Sequence, residues 1–249
     1  VSHFHQETIA KVERWASQHG SEKMNFHCLA ALDMPHKHAG VGLARKVGMD
    51  EALGRFLQIG RGQGAIVCLD ADCRVSPNYL IEIERQFGLC RHFGFATLAF
   101  KHEWHTLEDP KLAEGIVRYE LFLRYYVEAL RWSRYPFAFH TVGSCMAVKA
   151  EAYARHRGMN RRKAGEDFYF LHEMAPHENH LQVENAVVLP SARISDRVPF
   201  GTRKAQQDWL DGQAAHQATY HPQIFQDLKT FLEHKDELFA FRGHPDSNY

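Results

Sequence analysis

The run Ala65-Ile66-Val67-Cys68-Leu69-Asp70-Ala71-Asp72 decides how this chain is read: an apolar stretch stops abruptly at two carboxylates one residue apart. Introduced by Gly62 and Gly64, it fits a strand covered on both faces, as in the parallel sheets of α/β domains. Ligands of open α/β sheets bind outside the carboxyl ends of the strands, which places Asp70 and Asp72 for chemistry rather than packing. Both offer hard oxygen. Mg²⁺ and Mn²⁺ take carboxylate, water and phosphate oxygen, so an Asp-x-Asp pair suits a metal that grips a diphosphate. The bland alternative is that Asp72 merely caps the turn before Ser76-Pro77-Asn78, and so short a motif does not separate the two on its own.

Working outward, the apolar spacing predicts a helix over 7–16, a strand over 25–32 and a second helix over 42–56. Pro77 opens a helix that runs to about Phe87, and 93–100 is the next apolar strand. Strand alternating with helix argues for βαβ units, hence a Rossmann-like, mainly parallel sheet with helices on both faces. A longer helix over 111–132 interleaves Tyr119, Phe122, Tyr125 and Tyr126 with Arg118, Arg124 and Arg131. Its rings fall mostly on one face, which favours core packing over stacking on nucleobases. The reading continues with a small strand over 141–148, short helices over 152–156 and 166–174, a late strand over 183–189, and a helix over 222–239.

At 249 residues, one α/β domain with a core over about 25–202 and a helical extension over about 203–249 is the simplest organisation. Lys plus Arg equals Asp plus Glu at 30 each, so no overall field favours nucleic acid or an anionic membrane. Nothing approaches the roughly 18 uninterrupted apolar residues of a membrane span. The cysteines are scattered at 28, 68, 73, 90 and 145 without C-x-x-C spacing. They read as reduced small hydrophobes in a cytoplasmic setting. His36, His38, His172, His177 and His180 show no H-E-x-x-H spacing, the hard-oxygen motif already accounts for a metal, and most of them read as surface residues.

A second constellation is Gly165-Glu166-Asp167-Phe168, where a glycine turn precedes two acids that open a helix. The helix dipole alone stabilises acids there by a few tenths to about 1 kcal/mol, which is a complete structural reason for both. Together with a metal-binding pair upstream, a carboxylate at this position gains a second reading, the general base that removes a proton from an attacking hydroxyl.

Taken in order, these pieces resemble the family 2 glycosyltransferases of GT-A fold over about 29–202. His38-Ala39-Gly40-Val41-Gly42-Leu43-Ala44-Arg45-Lys46-Val47-Gly48 looks like that family's basic helix, with Lys46 in place of the usual Asn. Cys68-Leu69-Asp70-Ala71-Asp72 looks like its nucleotide-diphosphate and metal motif, Val142-Gly143-Ser144-Cys145-Met146 is similar to its acceptor-side strand, and Gly165-Glu166-Asp167 matches its Glu-Asp motif. The resemblance implies transfer of a sugar, with inversion, from a nucleoside diphosphate sugar to a hydroxyl of an unidentified glycan, lipid or small-molecule acceptor. In that scheme Asp72 holds Mg²⁺ or Mn²⁺, and Asp70 shares the ion or reaches the ribose. Arg45, Arg193 and Arg197 contact the nucleotide sugar, while Gly143 and Ser144 face the acceptor. Asp167 is the base, and Glu166 contacts the acceptor or orients the helix; which of the two acids takes the proton stays open.

One departure bears on all of this. The family's opening strand of the type Val-Ile-Pro-x-Tyr-Asn-Glu, and the strand after it that ends in a base-binding acid, have no counterpart in the sequence. A sheet without them is expected to expose strand edges and to self-associate through them. Two alternatives stand beside the transferase: a nucleotidyltransferase of similar sheet, which releases pyrophosphate rather than a nucleoside diphosphate, and a non-catalytic binding protein.

Overall fold

The computed structural model describes residues 3–192, 201–212 and 218–241. In chain order the elements are α1 (His3–His19), α2 (Val41–Gln58), β1 (Ala65–Cys68), β2 (Arg74–Val75), α3 (Tyr79–Leu89), β3 (Phe95–Phe100), α4 (Pro110–Trp132), β4 (Met146–Lys149), α5 (Ala150–Arg155), α6 (Glu166–Met174), β5 (His180–Leu189), α7 (Thr202–Leu210) and α8 (Pro222–Phe241). Local chemistry accounts for several ends. Asp109 caps α4 by accepting from the Lys111 backbone N–H at 2.8 Å, with Pro110 in the first turn where its missing N–H costs nothing. Gly64 enters β1 because any Cβ there would lie 2.1 Å from the Phe56 ring of α2.

The five strands form one sheet in the order β1-β4-β3-β5-β2. The sheet is mixed rather than mainly parallel. Only β3 and β5 run parallel; β4 is antiparallel to both β1 and β3, and β2 is antiparallel to β5. The reason lies in the connection to β4. The chain leaves α4 through 133–145 and enters β4 from the opposite end, pairing Val148 with both Ile66 and Phe95. β5 carries a bulge where Leu98 pairs with Val183 and Ala99 with Val187.

Side chains alternate between two cores, as the period of two requires. Ile66, Cys68, Phe95, Met146 and Val148 face α2, α5 and α6. Ala96, Leu98, Phe100 and Ala147 face the other way, toward Tyr79 and Ile83 of α3 and Leu123 of α4. Helices therefore cover both faces, as expected for an α/β fold.

Two further expectations change. Residues 25–32 form no strand; they run as irregular, mostly exposed chain, because among the described residues no neighbouring strand takes up their backbone groups. β1 is four residues long and lies at the sheet edge rather than deep inside. Its open side borders a cavity of about 680 Å³ walled by α2 and lined largely by apolar side chains such as Met49, Phe56 and Ile66. The aromatics of α4 do pack, but against the carboxyl-terminal extension: Tyr125 and Tyr126 meet Phe225 of α8, and the Tyr125 hydroxyl donates to the Tyr220 carbonyl at 2.8 Å. No helix among the described residues is long and apolar enough to cross a membrane.

Candidate active site

Arg45 is the centre of the site. It lies one turn into α2, and its guanidinium reaches three elements: Nε donates to Glu166 Oε1 at 3.0 Å, Nη2 to Asp70 Oδ1 at 2.7 Å, and Nη1 to the Gly143 carbonyl at 2.7 Å. The loop after β1, the turn before β4 and the start of α6 are thus tied to one planar cation. The two acidic motifs, 96 positions apart between Asp70 and Glu166, meet within the span of a single side chain.

Each partner is placed by its local fold. A 3₁₀ turn over Gly143–Cys145 replaces the first half of the strand expected over 141–148, and it leaves the Gly143 carbonyl to accept from Arg45 instead of from a neighbouring strand. A Cβ on Gly143 would stand 2.6 Å from Arg45 Nη2 and 3.0 Å from Asp167 Oδ2. Gly165 precedes α6 at φ +67°, a left-handed conformation that costs glycine little and turns both acids into the site. Asn160 fixes the same corner, donating to the Glu166 carbonyl at 2.7 Å.

The two acids of α6 differ in setting. Glu166 is 4% exposed and committed to Arg45; burial and the neighbouring Asp167 push its pKa up, and Arg45 pulls it back only in part. Asp167 is half-buried and accepts from its neighbour Phe168 N–H at 2.8 Å. Burial raises its pKa too, against the opposing pull of backbone N–H groups and Arg45. A carboxylate lifted above its ordinary range is a better proton acceptor. Tyr119 of α4 is partly buried, and burial first, then the nearby Asp167 charge, pushes its pKa up to about 12.

On the other side, the Cys73 N–H donates to the Asp70 carbonyl at 3.0 Å, making a tight turn. That turn gathers one ligand atom each from Asp70, Asp72 and Cys73 within 4.8 Å of one another. Two carboxylates at this spacing fit a divalent cation, and a carboxylate has two oxygens, so the Arg45 pair through Oδ1 does not remove Asp70 as a donor.

Several expected residues stand elsewhere than the sequence placed them. Arg45 serves the protein's own carboxylates in this arrangement. Ser144 is buried, 4% exposed, with its hydroxyl 3.9 Å from Cys145 Sγ. Arg193 and Arg197 fall outside the described residues. His172 and His180 are partly buried aromatic-core residues: His180 packs on Phe139 and bonds Thr97 Oγ1 at 2.8 Å, and burial holds its pKa down near about 4. All five cysteines are free. The sequence reading overlooked Cys73, whose signal was its position directly after Asp72, and Tyr119, which helical periodicity assigned to packing alone.

Comparison of the chain with protein-family models, with curated proteins and with solved structures yields no match.

Proposed function

We propose that this chain is a metal-dependent inverting transferase that moves a sugar from a nucleoside diphosphate sugar to an acceptor hydroxyl. The observation that carries the reading is Arg45 joining Asp70, which stands beside Asp72, to Glu166, which stands beside Asp167, within one cluster. Metal-binding and proton-accepting carboxylates are useful to a transferase only when they share a site. The resemblance to family 2 glycosyltransferases, with the order and spacing of its motifs, supports the same reading.

Asp70 and Asp72 would hold Mg²⁺ or Mn²⁺, whose charge offsets that of the diphosphate leaving group. Asp167 takes the proton from the acceptor hydroxyl; its half-buried position leaves it accessible, and its raised pKa suits the task. Glu166 is a positioning residue, because its buried carboxylate is held by Arg45 and orients the start of α6. Arg45 sets the distance between the two halves. Its positive charge also keeps several carboxylates compatible in one place.

The test is release of nucleoside diphosphate from UDP- and GDP-sugars with Mn²⁺, together with calorimetric donor binding. Asp72→Ala is expected to abolish metal-dependent donor binding. Asp167→Asn is expected to keep donor binding and lose transfer by about 10²- to 10⁴-fold. Equal loss of binding in both variants overturns the division of roles, and release of pyrophosphate overturns the reaction class.

A further inference from the structure

β1 is an edge of the sheet, and the parity of its ladder identifies the backbone groups it leaves over. The Ala150 N–H donates to the Gly64 carbonyl, so Ile66 and Cys68, which share that parity, exchange bonds with β4; Lys149, opposite Ala65, donates instead to Gly94 on the far side. The N–H and C=O groups of Ala65 and Val67 therefore point out of the sheet, and among the described residues no strand takes them up. Along them lies the cavity of about 680 Å³, lined by Ala65 and Val67 and by Met49, Ala52 and Phe56 of α2. α2 runs antiparallel to β1 beside this lane, since Arg45 meets Asp70 past the end of the strand and Phe56 meets Gly64 before its start. From Arg45 to Arg55 the helix rises about 15 Å, room for about four or five residues of extended chain.

Unpaired backbone groups beside an apolar trough suit an added strand, whose main chain pairs with the edge while alternate side chains fill the trough. The two ends of the lane carry opposite charge. The Asp70 side chain, 44% exposed, stands at the carboxyl end of β1; Arg55, paired with Glu51 one turn back at 2.8 Å, lines the other end. A second copy of this chain does not fit, because antiparallel pairing of β1 with itself sets the strands about 4.8 Å apart and brings both α2 helices over one seam, where packed helices need about 8–10 Å. We propose that the open edge of β1 takes an extended segment of a partner protein as a sixth strand, antiparallel to β1, with alternate apolar side chains beneath α2, a basic residue beside Asp70 and an acidic one beside Arg55. Neither a metal nor the acids of α6 enter this reading, which is independent of the proposed transfer reaction.

The test is fluorescence anisotropy with the labelled peptide Lys-Val-Thr-Val-Thr-Val-Glu. Its valines fall opposite Ile66 and Cys68 on the α2 face, and its threonines fall opposite Ala65 and Val67 and exchange hydrogen bonds with them. Binding is expected, with hydrogen exchange at the Ala65 and Val67 amides slowed about ten-fold. N-methylation of both threonine amides, which keeps the side chains and removes the donors, is expected to weaken binding about ten-fold or more, and the charge-swapped Glu-Val-Thr-Val-Thr-Val-Lys about five-fold. Val67→Pro removes an N–H that β4 does not use, and Gly48→Leu fills the trough from a position where a Cβ meets no atom within 4 Å; both are expected to keep the fold by circular dichroism and to lose about ten-fold in affinity. Absence of binding, binding that survives N-methylation, or binding indifferent to both Val67→Pro and Gly48→Leu overturns the proposal. Equal affinity for the charge-swapped peptide overturns the strand direction, and a dimer of the chain that the peptide dissociates makes a second copy the occupant and overturns the partner.

Discussion

Glu166 and Asp70 grip the same guanidinium, yet the Glu166 side chain is 5% exposed and that of Asp70 is 44% exposed. The first pair is part of the packed interior at the start of α6; the second lies on a loop beyond an edge strand. A carboxylate taken out of water is costly unless it stays paired, whereas an exposed pair is screened and worth little. One arginine thus makes a structural bond on one side and an adjustable one on the other. Under the proposed function, the side that would change partners on binding a cation and a diphosphate is the exposed side.

Removing the guanidinium unpairs both carboxylates at once and costs the most. Arg45→Met leaves Glu166 as an unpaired buried acid, and a loss of about 3–5 kcal/mol is expected in urea denaturation. Arg45→Lys, which lacks the planar fork that serves three acceptors, recovers only part of it. A loss below about 1 kcal/mol in Arg45→Met would show that the α6 pair is not the buried, structural one.

Much of the fold was legible because helices announce themselves by an apolar face. The spans expected for α2, α4, α6 and α8 agree with the observed ones to within two residues at each end. Strand direction was not legible. Whether β4 runs parallel or antiparallel depends on where its connection crosses the sheet, and no local periodicity carries that information. Apolar alternation over 25–32 was likewise insufficient, since a strand is defined by its neighbours as much as by its own residues. At the site, the acidic motifs were legible as motifs, but Arg45 was read only as a contact for the phosphate or base edge of the nucleotide sugar. Its role as a clamp comes from three acceptors contributed by distant parts of the chain, at positions 70, 143 and 166, and only their meeting in space reveals it.

Gly143 lies where the two sides of the Arg45 cluster join. A methyl group there would stand 2.6 Å from Arg45 Nη2 and 2.9 Å from Cζ, and the turn offers no flexible neighbour to absorb it except the arginine itself. Gly143→Ala is expected to cost about 1–3 kcal/mol by overpacking and to displace Arg45 from its carbonyl acceptor. The same methyl would press on Asp167 Oδ2 at 3.0 Å, so under the proposed function transfer should fall more steeply than donor binding. Retention of wild-type stability and turnover in this variant would mean that the turn relaxes freely, and that the close approach is not a constraint.

The smallest effects come from neutralising each acid in turn, and they should differ in what they respond to. Glu166 has its pKa raised by burial, so its protonated form is favoured on folding; that contribution is present at low pH and is lost as pH rises through the folded-state value. Glu166→Gln imitates the protonated form and keeps an oxygen for Arg45. Relative to the parent chain the variant should therefore gain stability as pH rises from about 4 to 7, by no more than about 1–2 kcal/mol, and the difference should be indifferent to salt. Asp70→Asn removes a pair that is open to water, so a loss of at most about 1 kcal/mol is expected, shrinking as ionic strength rises toward 1 M. Urea midpoints measured for both variants across pH and salt check the pattern. If Asp70→Asn cost well over about 1 kcal/mol with no response to salt, or Glu166→Gln proved the more sensitive to salt, the assignment of a structural and an adjustable side to Arg45 would be reversed, and the exposed loop would be the part that holds the site together.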